Sequence, residues 1–240
     1  MVRDFLRAAE PGIEGPHPKA MIVPHAGLIY SGPIAASAYR RLERGRDTIR
    51  RVVLLGPSHR VGFYGLALSS ASSFETPLGA VPIDRDAARA LQRFPQVDVL
   101  DEAHALEHSL EVQLPFLQAV LRDFSLVPIA VGDASPDEVA EVIDALWGGE
   151  ETAILISSDL SHYHDYATAR ALDEETSTNI AALRPEAILH GHACGRNPIN
   201  GLLVSARRRG MRGETIDLRS SGDTAGPRDQ VVGYGAYVFE

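Results

Sequence analysis

Cysteine is almost missing from this 240-residue chain: Cys194 is the only one. No internal disulfide can form, which excludes the small cross-linked folds of secreted proteins. Lysine is equally scarce, Lys19 being the only one, so arginine carries the rest of the positive charge. The 23 basic residues face 32 acidic ones, for a net charge of -9. A chain of that sign is repelled by phosphate backbones, so nucleic acid is not an expected partner. The one dense basic run, Arg207-Arg208-Arg209, reads as a solvated helix end. No run of about 18 apolar residues is present, so no membrane-spanning helix is expected. Met1 to Arg7 lacks the apolar stretch of a secretion signal. Together these absences lead to the expectation of a cytoplasmic protein. The chain also has no internal repeat, no phosphate loop and no dinucleotide glycine pattern, and no G-x-S-x-G elbow surrounds Ser157 and Ser158.

What remains is globular material. Hydrophobic residues make up 45% and charged residues 23%, which excludes a disordered or coiled-coil chain. Short apolar runs alternate with helical patterns. Strands are expected at 20–23, 52–55, 66–69, 126–131, 153–156, 215–218 and 231–239. Helices are expected at 34–42, 86–94, from Glu102 or Ser109 to Leu121, from Ser135 onward, at 166–183 and at 199–209. Pro33 is placed in a first helical turn, where its missing N–H costs little. Ser135-Pro136-Asp137-Glu138 carries a capping serine, a proline at the first position and acids at the positive end of the dipole. Thr76-Pro77-Leu78-Gly79 reads as a turn, and Trp147 as a core residue or helix-end plug. Apolar strands without polar alternation need cover on both faces. The fold class is therefore α/β: a single three-layer α/β/α domain with a central mixed, largely parallel sheet.

Ligands of such sheets gather at the carboxyl ends of the strands. Three strand ends carry histidine: Pro24-His25-Ala26-Gly27, Gly56-Pro57-Ser58-His59, and Ser157-Ser158-Asp159-Leu160-Ser161-His162-Tyr163-His164. The lone thiol sits in His192-Ala193-Cys194-Gly195-Arg196. Two imidazoles and one anionic donor make a three-point metal site with open positions, and a thiolate donor admits iron(II), copper(I) or zinc. His190 and His192 read as loop residues.

These blocks resemble the Memo family. The resemblance is carried by Pro24-His25-Ala26-Gly27-Leu28-Ile29-Tyr30-Ser31-Gly32, Gly56-Pro57-Ser58-His59 and Glu107 to Phe116. It continues through Ser158 to Tyr163, Cys194-Gly195-Arg196-Asn197-Pro198-Ile199, Ser221-Gly222-Asp223 and Val232-Gly233-Tyr234. They follow the family's order over residues 20 to 240, so residues 1–240 are expected to be one Memo-like domain with residues 1–19 as a short lead-in. Relatives carry more chain upstream of the first strand, so an upstream segment is expected to be missing here. The resemblance implies a fold similar to class III extradiol dioxygenases. It implies a metal held by His25, His59 and Cys194, with iron(II) first and copper(I) or zinc as alternatives. It places the acid/base histidine at His162, with Asp159 beside it as orienter. Tyr30, His108, Glu111, Tyr163 and Tyr234 are expected to line a substrate pocket. The implied activity is that of an iron-dependent oxidoreductase on an aromatic or oxygenated small molecule. The alternative is a copper- or iron-binding or adaptor protein without turnover. Radical-SAM and AMMECR-type proteins are implied partners, from the gene neighbourhoods in which Memo proteins occur.

A third reading comes from spacing alone. His104-Ala105-Leu106-Glu107-His108 fits the H-x-x-E-H zinc pattern. On one helix His104, Glu107, His108 and Glu111 share a face, and Leu106, Leu110, Leu114, Leu117 and Leu121 share another. That arrangement makes a zinc hydrolase of His104 and His108, with Glu107 as base.

Overall fold

The computed structural model describes residues 1–10 and 15–240. Residues 11–14 of the lead-in lie outside the described residues. Helix α1 (Val2–Ala8) precedes β1 (Ala20–Val23), α2 (Leu28–Leu42) and β2 (Arg51–Pro57). Three short strands follow, β3 (Leu66–Leu68) and the hairpin pair β4 (Ser73–Thr76) and β5 (Gly79–Pro82). Next come α3 (Arg85–Leu91), β6 (Val97–Val99), α4 (Glu102–Ala105), α5 (Leu114–Val120) and β7 (Ser125–Val131). The rest of the chain forms α6 (Pro136–Ala145), β8 (Thr152–Ser157), β9 (His162–His164), α7 (Tyr166–Ala181), α8 (Arg196–Arg208), β10 (Gly213–Ser220) and β11 (Val231–Phe239).

The main sheet runs β10-β11-β1-β8-β2-β7-β3-β6, with β9 paired to β11. Its centre, β1-β8-β2-β7, is parallel throughout. β11 joins β1 antiparallel, β10 joins β11 antiparallel, and β3 joins β7 antiparallel. Pleating sends alternate residues to opposite faces. Ile22, Val53, Leu55, Ile129, Ile154 and Ile156 pack with Val139, Ile143, Ile199 and Leu203 of α6 and α8. Met21, Val23, Leu54 and Leu155 pack instead with Ile34, Tyr39, Leu114 and Leu117 of α2 and α5. Both faces of the sheet are covered, which is the three-layer α/β/α arrangement that the apolar strands demand.

Two local expectations give way. Helix α2 begins at Leu28, so Pro33 lies inside it and not in its first turn. The chain turns helical directly after Gly27, whose carbonyl accepts the N–H groups of Tyr30 and Ser31 at 2.8 and 3.2 Å. The helix then runs on through the proline at the loss of one backbone bond. The helix expected to reach Leu121 is broken into α4, a 3-10 turn at Glu111–Gln113, and α5. The carboxylate of Glu107 accepts the backbone N–H groups of His108 and Ser109 at 2.9 and 2.8 Å, replacing the carbonyl partners a continuous helix would supply. Leu106 is consequently 71% exposed and leaves the expected leucine stripe, whereas Leu110, Leu114, Leu117 and Leu121 are buried.

Other features form as expected. Ser135 and Glu138 make a reciprocal capping box on α6. Arg207, Arg208 and Arg209 are held at the α8 end by Glu186, Asp137 and Asp144. Arg209 stacks over the ring of the partly buried Trp147. Among the described residues no helix is long and apolar enough to cross a membrane.

Helix α7 packs against β10 and β11 and carries a buried acid, Asp173, which accepts the N–H of Ser161 at 3.0 Å. Burial raises its carboxyl from the ordinary 3.8 to about 6. The folded chain therefore holds this proton more tightly than the unfolded one. The contribution is fully present below pH 3.8 and is lost as pH rises through about 6. Asp173→Asn should accordingly stabilise the fold by up to about 3 kcal/mol at pH 8, with the difference vanishing toward pH 4. Urea denaturation of both chains across that range checks this; a pH-independent difference would be the contrary result.

Candidate metal centre

The site follows from strand order. β8 lies between β1 and β2, so the ends of β1 and β2 stand on either side of Ser157-Ser158-Asp159. Strands two places apart are separated by roughly 10 Å. His25 and His59 close that distance by leaning over the end of β8, and their ring centroids stand 5.3 Å apart, edge to face. Cys194 arrives from the opposite direction, one residue before Gly195, the N-cap of α8. The Gly195 N–H donates to Ser158 Oγ at 2.9 Å, and the Cys194 N–H donates to the Asp159 carbonyl at 3.3 Å. Glycine is required at 195, because a Cβ there would stand 2.6 Å from the Ser158 side chain.

The donor atoms of His25, His59 and Cys194 all lie within 4.8 Å of one another. Among the described residues this is the one group of three or more His, Cys, Asp or Glu side chains so placed. His25 Nε2 stands 3.4 Å from Cys194 Sγ. Zinc-type bonds of 2.0–2.3 Å give ligand spacings of roughly 3.3–3.6 Å in a tetrahedron, so this pair is set at ligand distance.

Both imidazoles are already oriented by their other nitrogen. Tyr39 Oη donates to Gln113 Oε1 at 2.9 Å, and Gln113 Nε2 donates to the Pro24 carbonyl and to Ser157 Oγ at 2.9 and 2.8 Å. The Ser157 hydroxyl spends its own hydrogen on the Ser109 carbonyl. It can only accept from His25 Nδ1, 3.0 Å away, so His25 carries its proton on Nδ1 and presents the Nε2 lone pair to the cluster. Burial pushes the His25 pKa down, further favouring the neutral ring. His59 Nδ1 donates to Glu107 Oε1 at 2.9 Å, which likewise frees Nε2. Burial alone would raise the Glu107 carboxyl, but the bonds from His59 and the backbone amides hold it down at about 2. The resulting carboxylate raises the His59 pKa through their hydrogen bond. Cys194 is pushed up to about 12, first by burial and then by the Asp159 carboxylate, while the Asp159 N–H donates to Sγ at 3.3 Å. Two neutral nitrogen lone pairs and one sulfur, each fixed from behind, fit a transition-metal ion, which would stabilise the thiolate.

The other expected site residues scatter. His162 bonds through Nδ1 to the Leu160 carbonyl at 2.8 Å and lines a cleft of about 600 Å³ that also includes Cys194. Asp159 does not orient His162. It accepts the N–H groups of His25 and Ala26 at 2.7 and 3.3 Å, and its second oxygen lies 3.9 Å from His25 Nε2. Tyr30, Tyr163 and Tyr234 are not in the wall of that cleft. Tyr234 is buried and Tyr163 is 71% exposed. His108 and Glu111 are exposed, pair with each other at 3.0 Å, and line a separate hollow with His104.

The zinc-hydrolase arrangement is overturned by the helix break. His104 Nε2 bonds to the Ala67 carbonyl at 3.0 Å, Glu107 turns to His59, and His108 turns to Glu111. Sequence reasoning did not assign Gln113, Ser157 and Glu107 their part in orienting the two imidazoles. The one available signal was that Glu107 and Gln113 fall within the same family block. His164, from the strand-end block, His190, from the loop before Cys194, and Arg196 also line the cleft.

An α/β protein with two imidazoles and a thiol gathered at the ends of its parallel strands is thus defined. A profile described as Memo-like protein matches residues 1–238, and the chain belongs to the Memo family. A MEMO1 family protein of Aquifex aeolicus is 38% identical over 248 residues, covering 98% of this chain and 91% of that one. One from Saccharolobus islandicus is 38% identical over 234 residues, covering 91% of this chain and 81% of its own. Among solved structures, an uncharacterized protein of Escherichia coli K12, JW3007, matches with a TM-score of 0.59 at 13% identity, over 91% of this chain and 98% of that one. That likeness is one of fold.

Gln113→Leu should leave the Tyr39 hydroxyl and the Pro24 carbonyl buried without partners, costing about 2–4 kcal/mol. Ser157→Ala, which removes the acceptor of the His25 Nδ1–H, should release the single His25 tautomer. Denaturant titration and nitrogen-edited NMR of the imidazoles check the two effects; an unchanged Nδ1–H signal would refute the relay.

Proposed function

We propose that the chain is a metal-dependent oxidoreductase whose metal, iron(II) first, is held by His25, His59 and Cys194. The supporting observation is the convergence of three donors from three distant segments, with both Nδ1 atoms already engaged elsewhere. Bound iron(II) supplies Lewis acidity and one-electron redox chemistry to a small aromatic or oxygenated substrate. The protein's own contribution is binding and proton handling. The cleft admits the substrate beside Cys194. His162, with Nδ1–H committed to Leu160, keeps Nε2 as an acceptor and takes the substrate's hydroxyl proton as general base. Asp159 holds the first turn after β1 by its backbone amides and so fixes the height of His25.

The sulfur donor favours a second reading, a copper(I)- or iron-binding protein without turnover, since a thiolate replaces the harder carboxylate of iron oxygenases. Copper(I) and zinc are the alternative ions on both readings.

Anaerobic purification followed by elemental analysis should return about one metal per chain for the wild type and far less for Cys194→Ala. Equal metal content would remove the sulfur from the ligand set. Iron-loaded wild type should consume oxygen with a member of a catechol panel, and His162→Ala should keep its metal while losing turnover by about 100-fold or more. Metal retention without oxygen consumption by the wild type would leave the second reading.

A further inference from the structure

The cleft beside Cys194 has an unequal charge lining. Its wall includes the guanidinium of Arg196, the imidazoles of His162, His164 and His190, and a single carboxylate, the exposed Asp133. Arg196 differs from the arginines at the far end of its helix. Arg207, Arg208 and Arg209 each meet a carboxylate at 2.6–3.0 Å. Arg196 forms no ion pair with any described residue. Its Nε and Nη2 both donate to the side-chain oxygen of Asn197, at 3.2 and 3.0 Å. Asn197 is held in turn by Nδ2 donating to the Gly132 carbonyl at 2.9 Å. A neutral amide thus orients the guanidinium without cancelling its charge. Nη1 and the remaining hydrogen of Nη2 are left as an end-on fork, the geometry that grips a carboxylate or phosphate with two parallel bonds.

We infer that the ligand of this cleft bears an oxyanion, carboxylate or phosphate, and that Arg196 is its anchor. The inference rests on the cleft being the approach to the cluster, as in the reading above. Arg196 lies two residues from Cys194, across the tight Gly195 turn. An anion seated on its fork therefore lays the rest of a ligand along the sulfur. The imidazoles of His164 and His190 supply further N–H donors around it. A volume of about 600 Å³ holds a single-ring compound with room for water. Arg196 is a specificity-determining residue on this account, and the neutral analogue of any ligand should bind worse.

The experiment titrates the purified full-length chain with benzoate and, separately, with inorganic phosphate. Benzamide is the neutral control. Amide NMR shifts at Gly132 and Cys194–Asn197 give the dissociation constants. At least one of the two anions should bind with shifts centred on those residues, and the responding anion tells carboxylate from phosphate. Arg196→Met should weaken it tenfold or more, Arg196→Lys should recover part of the loss, and benzamide should leave the shifts unmoved. Silence from both anions, wild-type affinity in Arg196→Met, or equal response to benzamide would each overturn the assignment. Metal content measured on the same samples separates this from the metal reading. Arg196→Met should keep its metal, and an anion response that persists in Cys194→Ala stands whatever becomes of the metal.

Discussion

The end of β8 ties the site together. Ser157 accepts from His25, Ser158 accepts the amide that starts α8, and Asp159 binds the amides of His25 and Ala26 while its own N–H reaches Cys194. Three consecutive residues of one strand end therefore fix two elements that arrive from opposite directions. That end is rigid because β8 is flanked by β1 and β2 and sandwiched by both helical layers, so its six residues are all buried. His59 is the exception. It is held from the side by Glu107, and it remains the most exposed member of the cluster.

The two histidines are oriented by opposite physical means. His25 is set by a neutral chain of hydrogen bonds reaching back to the buried Tyr39. His59 is set by a charge, the carboxylate of Glu107. Burial lowers the pKa of the first ring, and the carboxylate raises that of the second. As potential donors they are inequivalent: His25 is the weaker base, and His59 the stronger, charge-supported one.

Much of the architecture was legible because it rests on local signals. Continuous apolar strands such as Val52 to Leu55 announced a sheet covered on two sides, and Ser135-Pro136 announced α6. The cluster was legible because each donor follows a strand or precedes a helix within a few residues. The segment from Glu102 to Leu121 was not, because its apolar spacing suits a helix and the break is made by a partner 48 residues away, the amide and ring of His59. Periodicity cannot register a carboxylate that trades helix continuity for a long-range bond. The same limit applies to Pro33, where the register of α2 is set by the turn at Gly27. It applies equally to Asp159, whose partners are backbone amides of another strand end.

With one sulfhydryl in the whole chain, and that one inside the His25–His59 cluster, chemistry elsewhere does not compete for it. A maleimide or disulfide reagent on the intact protein would sample this place alone. With the pKa of the Cys194 thiol pushed up to about 12 by burial, that reaction would be slow at neutral pH, so the chain's one sulfhydryl is protected from adventitious modification.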